Sequence, residues 1–468
     1  MAITRRQFLA RAAGVPSLLT ACPAGRPARA GLPLLGMSSR RALGFPVPAV
    51  QWRGYSSVTS ALRAGDARAI AGSPVAPRAS FDWDAARTDL QRRFGDLRRH
   101  VVFEYYPWYR ANPWQHWEQD DRVPPVDLAS NYMPVLGAYD STDPAVLERH
   151  AEWIAASGVG AVNLSWWGPG SDTDRAVPRI MDVMRAHDIH VTFHLEPYTD
   201  RRADVYLRDI LYLLDEYGRK RRWDCFLLPE DASGRSGPVF KSFRTILPPT
   251  STDCHGVTHE VPDYTEDSAW RRATDAVRER LRGEFERVTL LADSLDFGRT
   301  PASGFDGIAI YDNYVEPALW RGFASQCTSR GLVFSFNVNP GFDSIEARHV
   351  EPDSCYQPPR FEPDAPPLDW RTGAGRTTAA GLCKKRILES LQTTVGLQVD
   401  PSLVNVSKGF FLVYVNSFNE WHEGHQFEPM KGYQELRADE RAIGYHNAFR
   451  GTYRLDLLRT CLTRLLAG

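Results

Sequence analysis

A chain of 468 residues, 43% hydrophobic, 24% charged and 11% aromatic, can fill one large domain or two to three ordinary ones around a sizeable core. Its 56 basic residues are matched by 57 acidic ones, a formal charge of -1, which excludes the basic footprint of a nucleic-acid binder. Thirteen tryptophans and 18 tyrosines without an evident membrane span serve mostly for packing, with some left as flat platforms for sugars or bases.

The chain opens with Thr4-Arg5-Arg6-Gln7-Phe8-Leu9 and a modestly apolar segment running to Ala21, the pattern of a twin-arginine export signal. Leu19-Thr20-Ala21-Cys22 resembles a lipoprotein cleavage box, with Cys22 as the lipidated N-terminus. The expectation is a bacterial protein, exported to the periplasm or cell surface and held to the membrane only by that lipid. Residues 23–95, rich in Ala, Arg, Gly, Pro and Ser with weak periodicity, read as a tether and irregular lead-in to a domain over 96–468. The remaining cysteines, Cys225, Cys254, Cys327, Cys355, Cys383 and Cys461, form no CxxC pair and no zinc-ligand spacing, so no metal or cofactor is expected.

From about His100 short apolar runs recur: 101–108, 161–167, 190–198, 239–246, 288–294, 307–313, 332–339 and 410–418. Their density of Val, Ile, Phe and Tyr suits strands buried on both faces. Helical patterns lie between them, such as 143–158, where Asp143 caps, Pro144 suits the first turn and Gly158 ends the helix. Eight such alternations predict an α/β fold, a single (β/α)8 barrel; the fifth and sixth runs are joined by too few residues for a regular helix.

A barrel carries its functional residues at the C-terminal ends of its strands. Those ends here hold Tyr105 to Tyr109, Trp166 and Trp167, His194 with Glu196, Tyr311 to Asn313, Asn337 to Gly341, and the stretch NSFNEWHEGHQFEP, Asn416 to Pro429. Such polar and aromatic mouths describe a cleft for a polyhydroxylated ligand. Within the stretch, Glu420 and Glu423 would share one side if the chain turns helically, giving the two carboxylates that glycoside hydrolysis needs. The same residues with Asn419 and Glu428 also fit a helix cap. His422 and His425 make H-x-x-H, not the H-E-x-x-H of zinc proteases. Strand alternation puts His194 and Glu196 on one face and Trp166 and Trp167 on opposite faces.

The motifs EYYPWYRANPWQHW (104–117), PVLGAYDSTDP (134–144), LSWWGPGS (164–171), VTFHLEPYTDR (191–201), GFDGIAIY (304–311) and NSFNEWHEGHQFEP (416–429) resemble, in order, glycoside hydrolase family 99, the endo-α-1,2-mannosidases and endo-α-1,2-mannanases. The resemblance implies a (β/α)8 barrel, retention of configuration, and chemistry without a metal. It implies Glu420 as the group that takes the proton of the sugar 2-hydroxyl, so that a 1,2-anhydro sugar forms. Glu423 is then the acid that protonates the departing oxygen and afterwards activates water. It further implies that Tyr106, His116, Trp117, Trp167, His194, Glu196, Tyr311, Asn419, Trp421 and His422 bind substrate, with Trp167 favouring a mannosyl unit one site beyond the cleavage point. The expected partner is an α-mannan-like polysaccharide or oligosaccharide, and the protein is expected to act as a monomer. The chain departs from the family pattern in the fourth-strand region 238–256, at Ala309 and Arg110, and in a Pro-rich insert over 351–376. Another α-linked glycan, or a non-catalytic glycan-binding lipoprotein, is the alternative.

Overall fold

The structure is a computed structural model that describes residues 81–466 apart from 199–201, 262–263, 312–314, 351–355, 357, 360 and 362–367. The export signal, Cys22, the tether to residue 80 and the mouth residues Asp312 and Asn313 therefore lie outside the described residues.

Eight parallel strands form the sheet: β1 (Val101–Tyr105), β2 (Ala161–Trp166), β3 (His190–Leu195), β4 (Val239–Ser242), β5 (Thr289–Ala292), β6 (Gly307–Ala309), β7 (Val333–Ser335) and β8 (Val413–Val415). Their order is β7-β6-β5-β4-β3-β2-β1-β8. A parallel bridge from Val338, just past β7, to Val415 on β8 joins the two ends, so the sheet is a nearly closed barrel. Each strand begins within one of the eight apolar runs, and each is shorter than its run because the chain leaves the sheet as it reaches the mouth.

Helices cover the outside. Pro144–Ser157 follows β1 and is bounded as its sequence dictates: the Asp143 side chain accepts the Ala145 N–H, and Gly158 closes it at φ 90°. Between β5 and β6 there is room only for the four-residue turn of helix Arg299–Ala302. The lead-in assigned to 23–95 ends in a regular helix rather than an irregular segment: Trp83–Arg93, capped by Asp82, buries Trp83, Ala86 and Leu90. Those residues join the main core, and the helix packs on the C-terminal helix Tyr453–Leu466, a partner distant in sequence.

Period-two alternation sorts each strand. Val101, Phe103 and Tyr105 of β1, with Val162, Leu164 and Trp166 of β2 and Val191, Phe193 and Leu195 of β3, face the helices in one hydrophobic core. Val102, Ala161, Val239, Leu291, Ala309, Val333, Leu412 and Tyr414 fill the bottom of the barrel. Two residues further along the same inward face, the side chains become polar: Glu104, Asn163, His194, Lys241, Asp293 and Ser335, all buried. The apolar layer is a plug, and the polar layer above it is the floor of the site.

Candidate active site

The chain from Asn416 to Pro429 forms a compact turn, not the helix that would have placed Glu420 and Glu423 by their spacing. The turn is stitched by backbone bonds from Ser417 N to His425 O (3.0 Å) and from Phe427 N to Ser417 O (2.8 Å). Asn419 clamps it to the exit of β1: its Oδ1 accepts the Tyr106 N–H at 2.8 Å and its Nδ2 donates to Tyr106 O at 2.9 Å. On the far side Asp343 N donates to Glu423 O and Ile345 N to His422 O, each at 2.9 Å. Gly424 permits this approach, since it has φ +69° and a Cβ there would sit 2.1 Å from Asp343 O.

Burial separates the carboxylates of the turn. From Phe410 to Met430 every residue is buried except Glu423. Glu428, 1% exposed, is an anchor: Tyr139 Oη (2.8 Å) and Trp421 Nε1 (3.0 Å) donate to its Oε2, and His150 Nε2 lies 3.2 Å from its Oε1. Glu420, 2% exposed, has Oε1 3.1 Å from His422 Nδ1, while its Oε2 has no hydrogen-bond partner among the described residues. Burial pushes the Glu420 carboxyl above its usual pKa and the charge of Glu423 adds to this, against the pull of His422. Burial opposes charge on His422 as well, yet its hydrogen bond to Glu420 and that carboxylate's charge hold its pKa above the usual value. Glu423 accepts a hydrogen bond on Oε2 from Tyr311 Oη at 2.9 Å, and His425 Nε2 lies 2.7 Å from the same oxygen. Tyr106 Oη in turn donates to Tyr311 Oη at 3.0 Å. The two histidines thus serve different carboxylates, with His422 Nε2 2.7 Å from His116 O and His425 Nδ1 3.1 Å from Ser417 Oγ, so they do not converge as a ligand pair.

The other expected binding residues divide into two groups. Tyr311 bonds to Glu423 and Tyr106 to Tyr311, while His116 stacks on Trp108 with centroids 4.7 Å apart and Trp167 lies 6.3 Å from the same indole. Trp166 faces the helices and donates to Asp174, whereas Trp167 is half-buried on the opposite face and donates from Nε1 to Ser165 Oγ at 3.1 Å. Ser165 Oγ donates in turn to Glu196 Oε1 at 2.8 Å, so Glu196 fixes the aromatic platform. Trp117 and Trp421, expected at the cleft, are fully buried: Trp117 donates to Tyr139 O and packs 4.2 Å from Tyr109, and Trp421 is held by Glu428. They form the wall behind the site because both indole N–H groups are claimed from inside. Asn419 is a buried clamp for the same reason.

Beneath Tyr311 lies a cluster that sequence reasoning missed. Lys241 Nζ donates to Glu104 Oε1 at 2.6 Å, Asn163 Nδ2 donates to Oε2 at 2.9 Å, and His194 Nδ1 is 3.2 Å from that oxygen. Lys241 and Glu104 are both fully buried. Burial alone would raise the Glu104 pKa, but the Lys241 charge, with His194, holds it at about 2. The signal was present: Glu104 and Lys241 occupy inward positions of β1 and β4, and charged residues inside apolar strands need partners. His194, expected at the surface of the cleft, is 1% exposed and belongs to this floor. A separate 530 Å³ cavity lies behind the Asp343 to Arg348 segment, lined by Arg122, Asp127, Trp370 and His446 among others, and it does not include either central glutamate.

Residues 96–224 match the family model described as Glycosyl hydrolase family 99. The chain is 27% identical over 357 residues to the mouse glycoprotein endo-alpha-1,2-mannosidase, an alignment covering 69% of this chain and 66% of that relative, just under two thirds of its length. It is 28% identical over 368 residues to a zebrafish glycoprotein endo-alpha-1,2-mannosidase-like protein, covering 72% of each. In fold it matches the family 99 endo-alpha-mannosidase of Bacteroides thetaiotaomicron in complex with bis-tris propane, with a TM-score of 0.55 at 19% identity over 78% of this chain and 97% of that one. The matched segment and these relatives make the chain similar to the glycoside hydrolases of family 99, and the solved structure shares its barrel fold.

Proposed function

We propose that this protein is a retaining, endo-acting glycosidase that cuts internal α-mannosidic, α-1,2-type linkages in mannan or mannosylated glycans through a 1,2-anhydro sugar. The observation that carries the reading is the placing of two carboxylates on one turn in unlike settings. Glu423 is the single residue of a long buried run to reach the cleft, and Glu420 stands behind it with one oxygen unpartnered among the described residues. A buried polar atom of this kind wants a hydrogen-bond partner, and a sugar hydroxyl would supply it.

In this reading Glu420 Oε2 accepts the proton of the mannosyl 2-hydroxyl. A raised carboxyl pKa makes Glu420 a stronger base for that task than an exposed glutamate. The 2-hydroxyl of mannose is axial and trans to the leaving group of an α-mannoside, so its oxygen can attack the anomeric carbon from the opposite face. Glu423 gives its proton to the departing oxygen, then takes one from the water that opens the strained ring. Two inversions at the anomeric carbon return the original configuration. Trp167, pinned through Ser165, offers a flat face to the next mannosyl unit. The names of the mouse and zebrafish relatives support mannose as the sugar. The N-terminal sequence supports export with a lipid anchor at Cys22.

The test is incubation with a panel of α-mannans and glucans followed by sizing of the products, with Glu420→Gln and Glu423→Gln beside the wild type. Internal cleavage of an α-1,2-linked mannan is expected. Each variant should lose at least about a thousandfold in turnover, as removal of an acid or base does, and still bind oligosaccharide. No cleavage of any α-mannan would remove the substrate, and near-normal turnover by either variant would remove the mechanism.

A further inference from the structure

We propose that His425 is a positioning residue for the acid: with Tyr311 it occupies one oxygen of Glu423, so that the other oxygen carries the proton and aims it at the departing sugar. This rests on the glycosidase reading above and adds a role for a side chain that does not itself touch the sugar.

The argument follows the hydrogen atoms. His425 is 0% exposed, with Nε2 2.7 Å from Glu423 Oε2 and Nδ1 3.1 Å from Ser417 Oγ. Ser417 Oγ already accepts the backbone N–H of Glu420 at 2.8 Å. A hydroxyl has one proton to give, and among the described residues the acceptor within reach of this one is His425 Nδ1. Nδ1 is then the bare nitrogen of a neutral imidazole, and the ring proton sits on Nε2, where it is donated to Glu423. Tyr311 Oη donates to the same Oε2 at 2.9 Å.

An oxygen with two lone pairs can accept two such bonds both as the carbonyl of a carboxylic acid and as half of a carboxylate. Oε2 is therefore filled in both states of the cycle, and the mobile proton is confined to Oε1. In the first half of the reaction the Oε1–H bond breaks, the proton passes to the glycosidic oxygen, and that oxygen keeps the electron pair of the broken C–O bond. In the second half water gives a proton to Oε1 and its oxygen bonds to the anomeric carbon. The His425 and Tyr311 protons stay where they are throughout. Both donors hold the carboxyl plane fixed, so that Oε1 keeps one direction through the cycle.

The experiment compares wild type, His425→Ala and His425→Gln by kcat/KM, which reports only the steps up to release of the leaving group. One substrate is an α-mannan oligosaccharide, whose sugar leaving group needs a proton. The other is the matching glycosyl fluoride, whose leaving group does not. His425→Ala should lose about a hundredfold on the oligosaccharide and less than about threefold on the fluoride, the range expected for general-acid assistance. Gln, which can donate from its side-chain amide, should recover most of the loss. Equal losses on both substrates, or none on either, would overturn the proposal. A second measurement needs no substrate: the 15N shifts of the His425 ring in the resting wild-type enzyme should report a protonated Nε2 and a bare Nδ1. The opposite tautomer overturns this inference. Failure to cleave any mannan overturns the functional reading and leaves the tautomer measurement decisive for this one.

Discussion

Two buried glutamates, one in the floor and one in the turn above it, make a useful contrast. Glu104 and Glu420 are both almost fully buried, and each has a histidine within about 3 Å, His194 Nδ1 at 3.2 Å and His422 Nδ1 at 3.1 Å. Yet Glu104 is held at about 2, whereas Glu420 is raised. The difference is a fixed cation. Lys241 lies 2.6 Å from Glu104 and outweighs its desolvation; the groups acting on Glu420 are instead His422, Glu423 and His425, with burial the largest influence. A histidine alone does not settle the charge of a buried carboxylate. The floor is built to stay ionised and still, while the turn keeps a carboxylate ready to take a proton.

The contrast can be broken most forcefully at Lys241. Lys241→Met leaves Glu104 charged and uncompensated in the barrel, and should destabilise the fold by about 3–5 kcal/mol. Adding Glu104→Gln should recover much of that loss, because the Glu104 charge is then removed with its partner. Denaturant melts of the single and double variants check this, and equal destabilisation by both would mean that the ion pair is not the cause.

The second prediction concerns sign. Glu104 has a folded pKa below its unfolded value of 4.5, so its contribution is fully present above that pH and is lost as pH falls toward 2. Glu420 has a folded pKa above its unfolded value, so its protonated form is favoured by folding and its charge costs stability as pH rises through the folded pKa. Glu420→Gln should therefore melt above wild type at pH 7 and converge with it near pH 4, even though it is inactive. A variant less stable than wild type at pH 7 would contradict the assigned environment.

The smallest effect tests how far the stillness of the floor extends to the platform. Ser165→Ala removes the acceptor of the Trp167 indole and a donor to Glu196, a loss of about 1 kcal/mol or roughly fivefold in KM. It should appear only with substrates long enough to reach Trp167. A change of equal size with shorter ones would mean that Ser165 acts on the scissile site itself.

Much of this was legible in the chain. Short, dense apolar runs separated by helical patterns announced eight strands, and the residues closing most of the runs announced the mouth. Glu420 and Glu423 stood out because two carboxylates closed the last run. Trp117, Trp421 and His194 lie deeper than expected for one reason: an aromatic or histidine near a strand end looks the same in sequence whether it lines the cleft or supports it. Burial decides between them, and burial depends on partners far along the chain. Tyr139 claims Trp117, Glu428 claims Trp421, and Glu104 sits against His194. His425 stood in the sequence only as half of an H-x-x-H pair, because its bond to Glu423 depends on how the turn folds back.

By itself the sequence determined the barrel and the place of Glu420 and Glu423 at the exit of its last strand, since these follow from the alternation of apolar runs with helical patterns. Only the tertiary structure decided which glutamate is buried, which reaches the cleft and which merely anchors a tryptophan. Those differences arise from desolvation and from single hydrogen bonds across the barrel mouth. Residues such as Tyr106, Tyr311 and Glu423 meet there although hundreds of positions separate the first from the last.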